Sequence, residues 1–304
     1  MEEILNTLTS EFGKLRARFR TVSINHLREL REEIEERRQN GNISEKFYAE
    51  QLGFLRFEQP DVPPSAKSII VIAIPQRITL VEFRPGGKGH RVIIPPTYVY
   101  TEVRETCRSI LSRVLQGTDS RIARVSLPLK LLTVRSGLGK YGRNNICYVE
   151  GRGSFHRLEA FYTDYSFSVD NWQKKEMLDS CADCSICLQA CPTQCISTER
   201  FLIDAERCLT RFNEMEGDFP EWIDPKSHNA LVGCMRCQIT CPSNREFVRG
   251  KERGEAFSEE ETEMILKGIP EGRLPKELSA KLKRLNMDEY YSVLPRNLVV
   301  LMKR

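Results

Sequence analysis

No segment of this 304-residue chain is apolar for long enough to span a bilayer, so no helical membrane anchor is expected. Residues Met1–Phe12 carry no secretory signal, which places the chain by expectation in the cytoplasm, where thiols stay reduced. Low-complexity tracts are lacking, and so is any recognisable RNA-binding motif. Net charge is only +4, a balance that permits an anionic partner such as RNA without arguing for one. What the chain has in quantity is cysteine, eleven residues in all.

Four of these run Cys181-x2-Cys184-x2-Cys187-x3-Cys191 and end on Pro192, and Cys234-x2-Cys237-x3-Cys241 ends on Pro242. This is the ligand spacing of a two-cluster bacterial ferredoxin, in which the cysteine before the proline crosses to the other cluster. Cys208 is the best candidate for the missing eighth ligand. The spacing assigns Cys181, Cys184, Cys187 and Cys241 to one [4Fe–4S] cluster, and Cys191, Cys208, Cys234 and Cys237 to a second. Structural zinc favours two separated ligand pairs, often with histidine, whereas here a third cysteine follows each pair and no His lies within the first run. Disulfides would need an oxidising compartment. Of the remaining thiols, Cys107 reads as a buried hydrophobe in a helix, and Cys195 as packing beside the first cluster loop.

The hydrophobic fraction of 40% supports a sizeable core. Four stretches are expected: an N-terminal helical segment at 1–58, an α/β domain at 59–170, a double-cluster module at 171–250, and a C-terminal helical segment at 251–304. Ile24–Gln39 reads as a charged helix with Leu27, Leu30 and Ile34 on one stripe, its charges a solvated face or an RNA grip. Ser68-Ile-Ile-Val-Ile-Ala-Ile-Pro75 is a continuous apolar run, the pattern of a strand buried on both faces. Arg77–Phe83 and His90–Ile94 flank Pro85-Gly-Gly-Lys-Gly89 as a hairpin. A helix is expected over Tyr98–Leu115, with Tyr98 and Tyr100 near its start, and another over Leu127–Arg135. Asn145–Val149 and His156–Tyr162 alternate like strands, and helices are expected around Ser258–Leu266, Lys276–Leu285 and Arg296–Met302, packing back over the clusters.

Gly137-Leu-Gly-Lys-Tyr-Gly142 matches the dinucleotide-binding pattern on paper. A helix precedes it and a strand follows, the reverse of the order that pattern requires. Glycines here allow a sharp turn and a close backbone approach to a large flat ligand, or form a plain helix C-cap and turn.

Gly137-Leu-Gly-Lys-Tyr-Gly-Arg-Asn144, Gly153-Ser154 and Leu158, joined to the double-cluster module, resemble epoxyqueuosine reductase and the related corrinoid reductive dehalogenases. The resemblance extends upstream to Pro63-Pro-Ser-Ala-Lys-Ser-Ile-Ile-Val71 and downstream to Arg207-Cys208-Leu-Thr210, Gly233-Cys234 and Cys241-Pro242-Ser-Asn244, so it covers residues 60–245. It implies an α+β fold: a nitroreductase-like α/β domain with a mixed sheet, then a ferredoxin-like double-cluster module and C-terminal helices. It implies a cobalamin held by Gly137, Gly139, Gly142, Arg143, Asn144, Cys147, Leu158 and Thr210. Electrons would pass from the outer cluster to the inner one and on to cobalt. An external low-potential donor of ferredoxin or flavodoxin type would supply them, with a small molecule or a tRNA as the substrate.

The chain departs from the family at the proton donor. The family's aspartate lies shortly before the helix leading into the glycine loop, where this chain has Val125-Ser126-Leu127-Pro128. A serine is too weak an acid to replace it. Tyr98, Tyr100, Tyr141 and Lys140 are the candidate catalytic residues, by analogy with a tyrosine donor beside a basic group, although a core tyrosine is more often a hydrophobe with one hydrogen bond. The reading is therefore an iron–sulfur, cobalamin-dependent reductase. The alternatives are an electron-transfer or corrinoid-reactivating protein serving a partner, and a flavin-binding member of the same layout.

Overall fold

The computed structural model describes residues 2–199 and 201–303. Among them strands run Arg18–Ser23 (β1), Ser68–Pro75 (β2), Ile78–Phe83 (β3), His90–Ile94 (β4), Ile122–Arg124 (β5), Lys140–Tyr141 (β6), Cys147–Tyr148 (β7), His156–Thr163 (β8) and Lys251–Ala256 (β9). The chain forms two compact units. One comprises Met1–Pro75 and Val103–Asp179; the other comprises Gln76–Glu102 and Ser180–Arg304. Linear cuts at 58, 170 and 250 would divide the chain differently, because each unit takes two separate stretches of sequence.

In the first unit the sheet order is β1-β2-β8-β5, with every neighbouring pair antiparallel. The mixed sheet expected for residues 59–170 lies instead in the second unit, where β3 pairs with β4 antiparallel and with β9 in parallel. A continuous apolar run reports burial on both faces and not the direction of its neighbours. Ile69, Val71 and Ala73 of β2 pack with Leu27, Leu30 and Ile34 of the Leu27–Gln39 helix and with Leu131 and Leu132 of the Leu129–Arg135 helix. Ile70, Ile72 and Ile74 face the opposite layer, with Leu8 and Phe12 of the Glu2–Lys14 helix and Cys107, Ile110 and Leu111 of the Thr101–Leu115 helix. Each isoleucine or valine of β2 contributes about 1.5–3 kcal/mol on burial, so this central strand anchors the unit.

The N-terminal segment is not wholly helical, since β1 pairs along β2 from Arg18↔Ala73 to Ser23↔Ser68. Its charged residues Arg18 and Arg20 suit an edge strand, where they discourage pairing with another chain. Glu159 on β8 is almost fully buried, and its carboxylate lies 3.0 Å from Arg157 and 3.5 Å from Arg104.

The helix expected from Tyr98 begins at Thr101. Asn286 Oδ1 accepts from the backbone N–H groups of Tyr100 and Thr101 at 2.7 and 3.1 Å, so both tyrosines stand in the turn before the helix. Pro95-Pro96 directs the chain into that turn instead of opening the helix.

In the second unit the sheet order is β4-β3-β9. The β3–β4 hairpin forms as expected, and β9 joins β3 in parallel. β9 has an almost wholly polar sequence and an exposed surface, so nothing in its periodicity announced a strand. Val81 and Phe83 pack against Phe257, Ile265, Leu278, Leu282 and Leu298, which come from β9's exit and the three C-terminal helices. Ser258 and Glu261 form a reciprocal capping box that starts the Glu259–Leu266 helix. Among the described residues no helix is long and apolar enough to cross a membrane.

Candidate functional site

The cysteine-rich segment of the second unit has little regular structure. Short helical turns at Ile186–Ala190 and Arg236–Ile239 carry Cys187 and Cys237. Each turn is entered from one cysteine loop and left towards a cysteine followed by proline, a geometry that gathers thiols on a looping backbone.

Seven of the eight expected ligand thiols fall into two neighbourhoods. Burial raises the pKa of the Cys187 thiol, and the charges of Cys181, Cys184 and Cys241 raise it further. That neighbourhood is the first expected quartet, including the crossing Cys241. Cys234 is also raised by burial, with Cys208 and Cys191 as its thiol neighbours. Cys237 packs into one apolar group with Cys187, Cys191, Cys195 and Cys208, so its packing does not by itself assign it to either quartet. Hydrogen bonding with Cys195 holds the Cys191 thiol down to about 5, and the same partner holds Cys208 to about 7. A lowered thiol pKa favours thiolate, the ligand form. Among the described residues no His, Cys, Asp or Glu group is placed to hold a single metal ion. A cubane would bind the expected quartets differently from a single ion, each thiolate to its own iron.

Half-buried Asn229 and buried Asn213 and Asn297 fix the loop before Cys234. Asn229 Nδ2 donates to Cys234 Sγ at 3.2 Å, and its Oδ1 accepts from the Met235 N–H at 2.8 Å. Asn213 Nδ2 donates to the Gly233 carbonyl at 2.6 Å, and Asn213 Oδ1 lies 2.9 Å from His228 Nδ1. Asn297 of the last helix donates to the carbonyls of Asn213 and Leu231 at 2.8 and 2.9 Å. The C-terminal helix thus does reach the cysteine segment. Sequence reasoning passed over these amides. Their only signal was polar residues flanking the apolar Ala230-Leu231-Val232.

Tyr98 belongs to this loop as well. It is 6% exposed, and a Cβ on Gly233 would lie 2.3 Å from its hydroxyl oxygen. The hydroxyl hydrogen-bonds to Glu214, and burial followed by that carboxylate raises its pKa well above the tyrosine range. Tyr100 is buried too and donates to Glu289. Thr210 lies two residues past Cys208 and contributes to lowering that thiol's pKa.

The remaining candidates lie in the first unit. Ser136–Gly139 links the Leu129–Arg135 helix to β6, which Gly142 follows, and β6 pairs with β7 across Lys140↔Tyr148 and Tyr141↔Cys147. The glycines allow close approach of the chain's own atoms. A Cβ on Gly139 would lie 2.7 Å from the Tyr148 carbonyl oxygen, and one on Gly142 would lie 2.5 Å from the Tyr148 ring. Gly137 adopts φ +67°, and its Cβ space is taken by Gln173. Asn144 is buried and donates to the Tyr148 hydroxyl at 3.1 Å. Cys147 donates to the Lys130 carbonyl at 3.2 Å, and burial pushes its thiol up to about 12. Leu158 on β8 is half-buried beside the core that includes Leu131, and Arg143 is half-buried in the loop. Tyr141 is 5% exposed, and burial holds its hydroxyl well above the usual range. Lys140 is bound to Glu176 at 2.8 Å, which raises its pKa, with Asp179 at 3.8 Å. Asn145, at φ +57°, has a buried side-chain amide nitrogen with no hydrogen-bond partner among the described residues. It offers a donor that a ligand could satisfy.

Residues 180–244 match the family described as a 4Fe-4S double cluster binding domain. The chain is 34% identical over 115 residues to the epoxyqueuosine reductase of Escherichia coli, covering 38% of this chain and 29% of that protein. It is 27% identical over 227 residues to the Staphylococcus aureus epoxyqueuosine reductase, covering 71% of this chain and 58% of that protein. Both matches span less than two thirds of the relative. Among solved structures, an epoxyqueuosine reductase from Streptococcus thermophilus superimposes with a TM-score of 0.65 at 19% identity, covering 99% of this chain and 81% of that one. The likeness to epoxyqueuosine reductases read from the sequence is borne out, and the cysteine segment is a double [4Fe–4S] domain.

Proposed function

We propose that this chain is an iron–sulfur reductase whose first unit takes a corrinoid and whose clusters feed electrons towards an electrophilic substrate. The observation that carries the reading is the gathering of Cys181, Cys184 and Cys241 about Cys187 and of Cys191 and Cys208 about Cys234, inside a double-cluster segment joined to an epoxyqueuosine reductase-like chain.

When bound, the clusters supply single electrons at low potential and the corrinoid supplies a cobalt centre that reacts with electrophiles. The rest is the work of this chain's residues. Cys181, Cys184, Cys187 and Cys241 would hold one cluster, and Cys191, Cys208, Cys234 and Cys237 the other. Asn229 orients Cys234 and lends an N–H to its sulfur. Asn145 offers its unsatisfied amide to the corrinoid, with Arg143 and Asn144 in the same loop. Tyr141 keeps its proton at neutral pH, because burial disfavours the phenolate, and can donate it only as charge develops nearby.

An epoxide carried on a tRNA nucleoside is the substrate class suggested by the relatives, one of whose structures contains an epoxyqueuosine-modified tRNA stem loop. An external donor of ferredoxin or flavodoxin type and a cytoplasmic setting belong to the same proposal. The electron-transfer alternative draws support from two features. Val125-Ser126-Leu127-Pro128 presents no carboxylate, and Tyr98 and Tyr100 are buried with their hydroxyls given to Glu214 and Glu289.

Anaerobic purification followed by iron, sulfide and cobalt analysis after cobalamin reconstitution tests the proposal. Iron for two clusters with one cobalt per chain, and turnover of an epoxyqueuosine-bearing stem loop, is the expected result. Full iron without cobalt would move the chain to the electron-transfer reading, and a yellow chromophore released on denaturation would move it to flavin.

A further inference from the structure

Cys195 stands outside the ligand spacing, yet its Sγ lies 3.4 Å from Cys191 Sγ and within hydrogen-bonding reach of Cys208. Two backbone features put it there. Gln194 adopts φ +53° and its N–H returns to the Cys191 carbonyl at 3.2 Å, closing a turn that swings Cys195 back beside Cys191. The Cys195 carbonyl then accepts from the Asp204 N–H at 2.7 Å, and the Asp204–Cys208 turn follows at once, with Arg207 bonded to Asp204 at 3.1 Å. One short run of chain thus delivers three sulfurs to one place.

The surroundings leave that thiol little else to do. Cys195 is 3% exposed and packs among Ile196, Leu188 and Ile203. In an apolar enclosure an S–H group donates to the nearest acceptors, and here these are ligand sulfurs.

We propose that Cys195 is a fifth thiol of the second cluster site, a hydrogen-bond donor to the seated Cys191 and Cys208 thiolates and a ligand in reserve for either. The exchange is balanced without any change of oxidation state. The iron–sulfur bond to the departing cysteine breaks, one forms to Cys195, and the proton of Cys195 passes to the sulfur that leaves. The assignment rests on the double-cluster reading of this segment and is independent of the corrinoid.

Iron and sulfide content and the electron paramagnetic resonance of dithionite-reduced protein, prepared anaerobically, test both roles without any substrate. Cys191→Ala should retain both clusters with an altered signal for one. Cys191→Ala combined with Cys195→Ala should fall to half the iron. Cys195→Ala alone should keep full iron while the reduction potential of one cluster moves lower, because a hydrogen bond to ligand sulfur stabilises the reduced state. If Cys191→Ala already halves the iron and Cys195→Ala leaves signal and potential unchanged, the proposal is overturned. If Cys191→Ala yields no soluble protein, the potential of Cys195→Ala decides alone, and an unchanged potential overturns it. Protein with no iron in the parent chain would instead refute the double-cluster reading itself.

Discussion

Asn229 lends a side-chain N–H to the sulfur of Cys234 at 3.2 Å while its oxygen fastens the Met235 N–H. The one amide thereby shapes the ligand loop and tunes the ligand. Asn229→Asp keeps the acceptor for Met235 but withdraws the donor and adds negative charge. Both changes should lower the potential of one cluster with iron content preserved, as read by a redox titration followed by electron paramagnetic resonance. An unmoved potential would mean that the bond does not persist once the cluster is seated.

The crossing of Cys241 to the Cys181 quartet can be checked by iron counting. Cys181→Ser and Cys241→Ser should each remove the same cluster, so the pair together should lose no more iron than either alone. Cys241→Ser combined with Cys234→Ser should lose both clusters. A result in which Cys241→Ser and Cys234→Ser damage one shared cluster would reverse the assignment.

His156 is buried, and burial depresses its pKa to about 4 from an ordinary 6.5. The unfolded chain therefore takes up a proton that the native chain refuses. Stability is full above about pH 6.5 and declines as pH falls towards 4, by a few kcal/mol in all. His156→Phe removes the group that must protonate and should flatten this decline. Denaturant midpoints compared at pH 7 and pH 5 provide the measurement, and parallel losses in parent and variant would refute the assignment.

Gly139→Ala should cost about 1–3 kcal/mol, because its Cβ would press on the Tyr148 backbone oxygen at 2.7 Å. Gly13→Ala, in a helix with open space around it, should be neutral or slightly stabilising. Thermal melts of the two variants should separate by several degrees, and equal melting points would contradict the self-packed loop.

Tyr98→Phe distinguishes structural support from acid catalysis. The ring backs Gly233, and its hydroxyl is committed to Glu214. Loss of that donor should cost about 1–3 kcal/mol while the turnover proposed above persists. Abolished turnover at unchanged stability would restore Tyr98 as a proton donor.

The sequence made the chemistry of the cysteines legible because ligand spacing is local: a loop that wraps a cubane must space its thiols in that way. β2 was legible from Ile69–Ile74 for a similar reason, since burial on both faces leaves no room for a polar residue. Strand direction was not legible, because helices on both faces bury Ile70 and Val71 whichever way β8 runs. β1 and β9 escaped notice because edge strands carry charge, and pairing partners distant in the chain decide their state. The role of Cys195 was hidden by a left-handed Gln194, a backbone choice that glutamine does not advertise.

The exchange of stretches between the two units constrains how the protein can be dissected. A gene fragment starting at Ser180 would carry every cluster ligand but neither β3 nor β4. Phe257 would lose the Phe83 ring stacked on it at 4.6 Å, and β9 would have no strand to join. The electron-carrying half therefore cannot be excised with a single cut. A minimal version must splice Gln76–Glu102 back in.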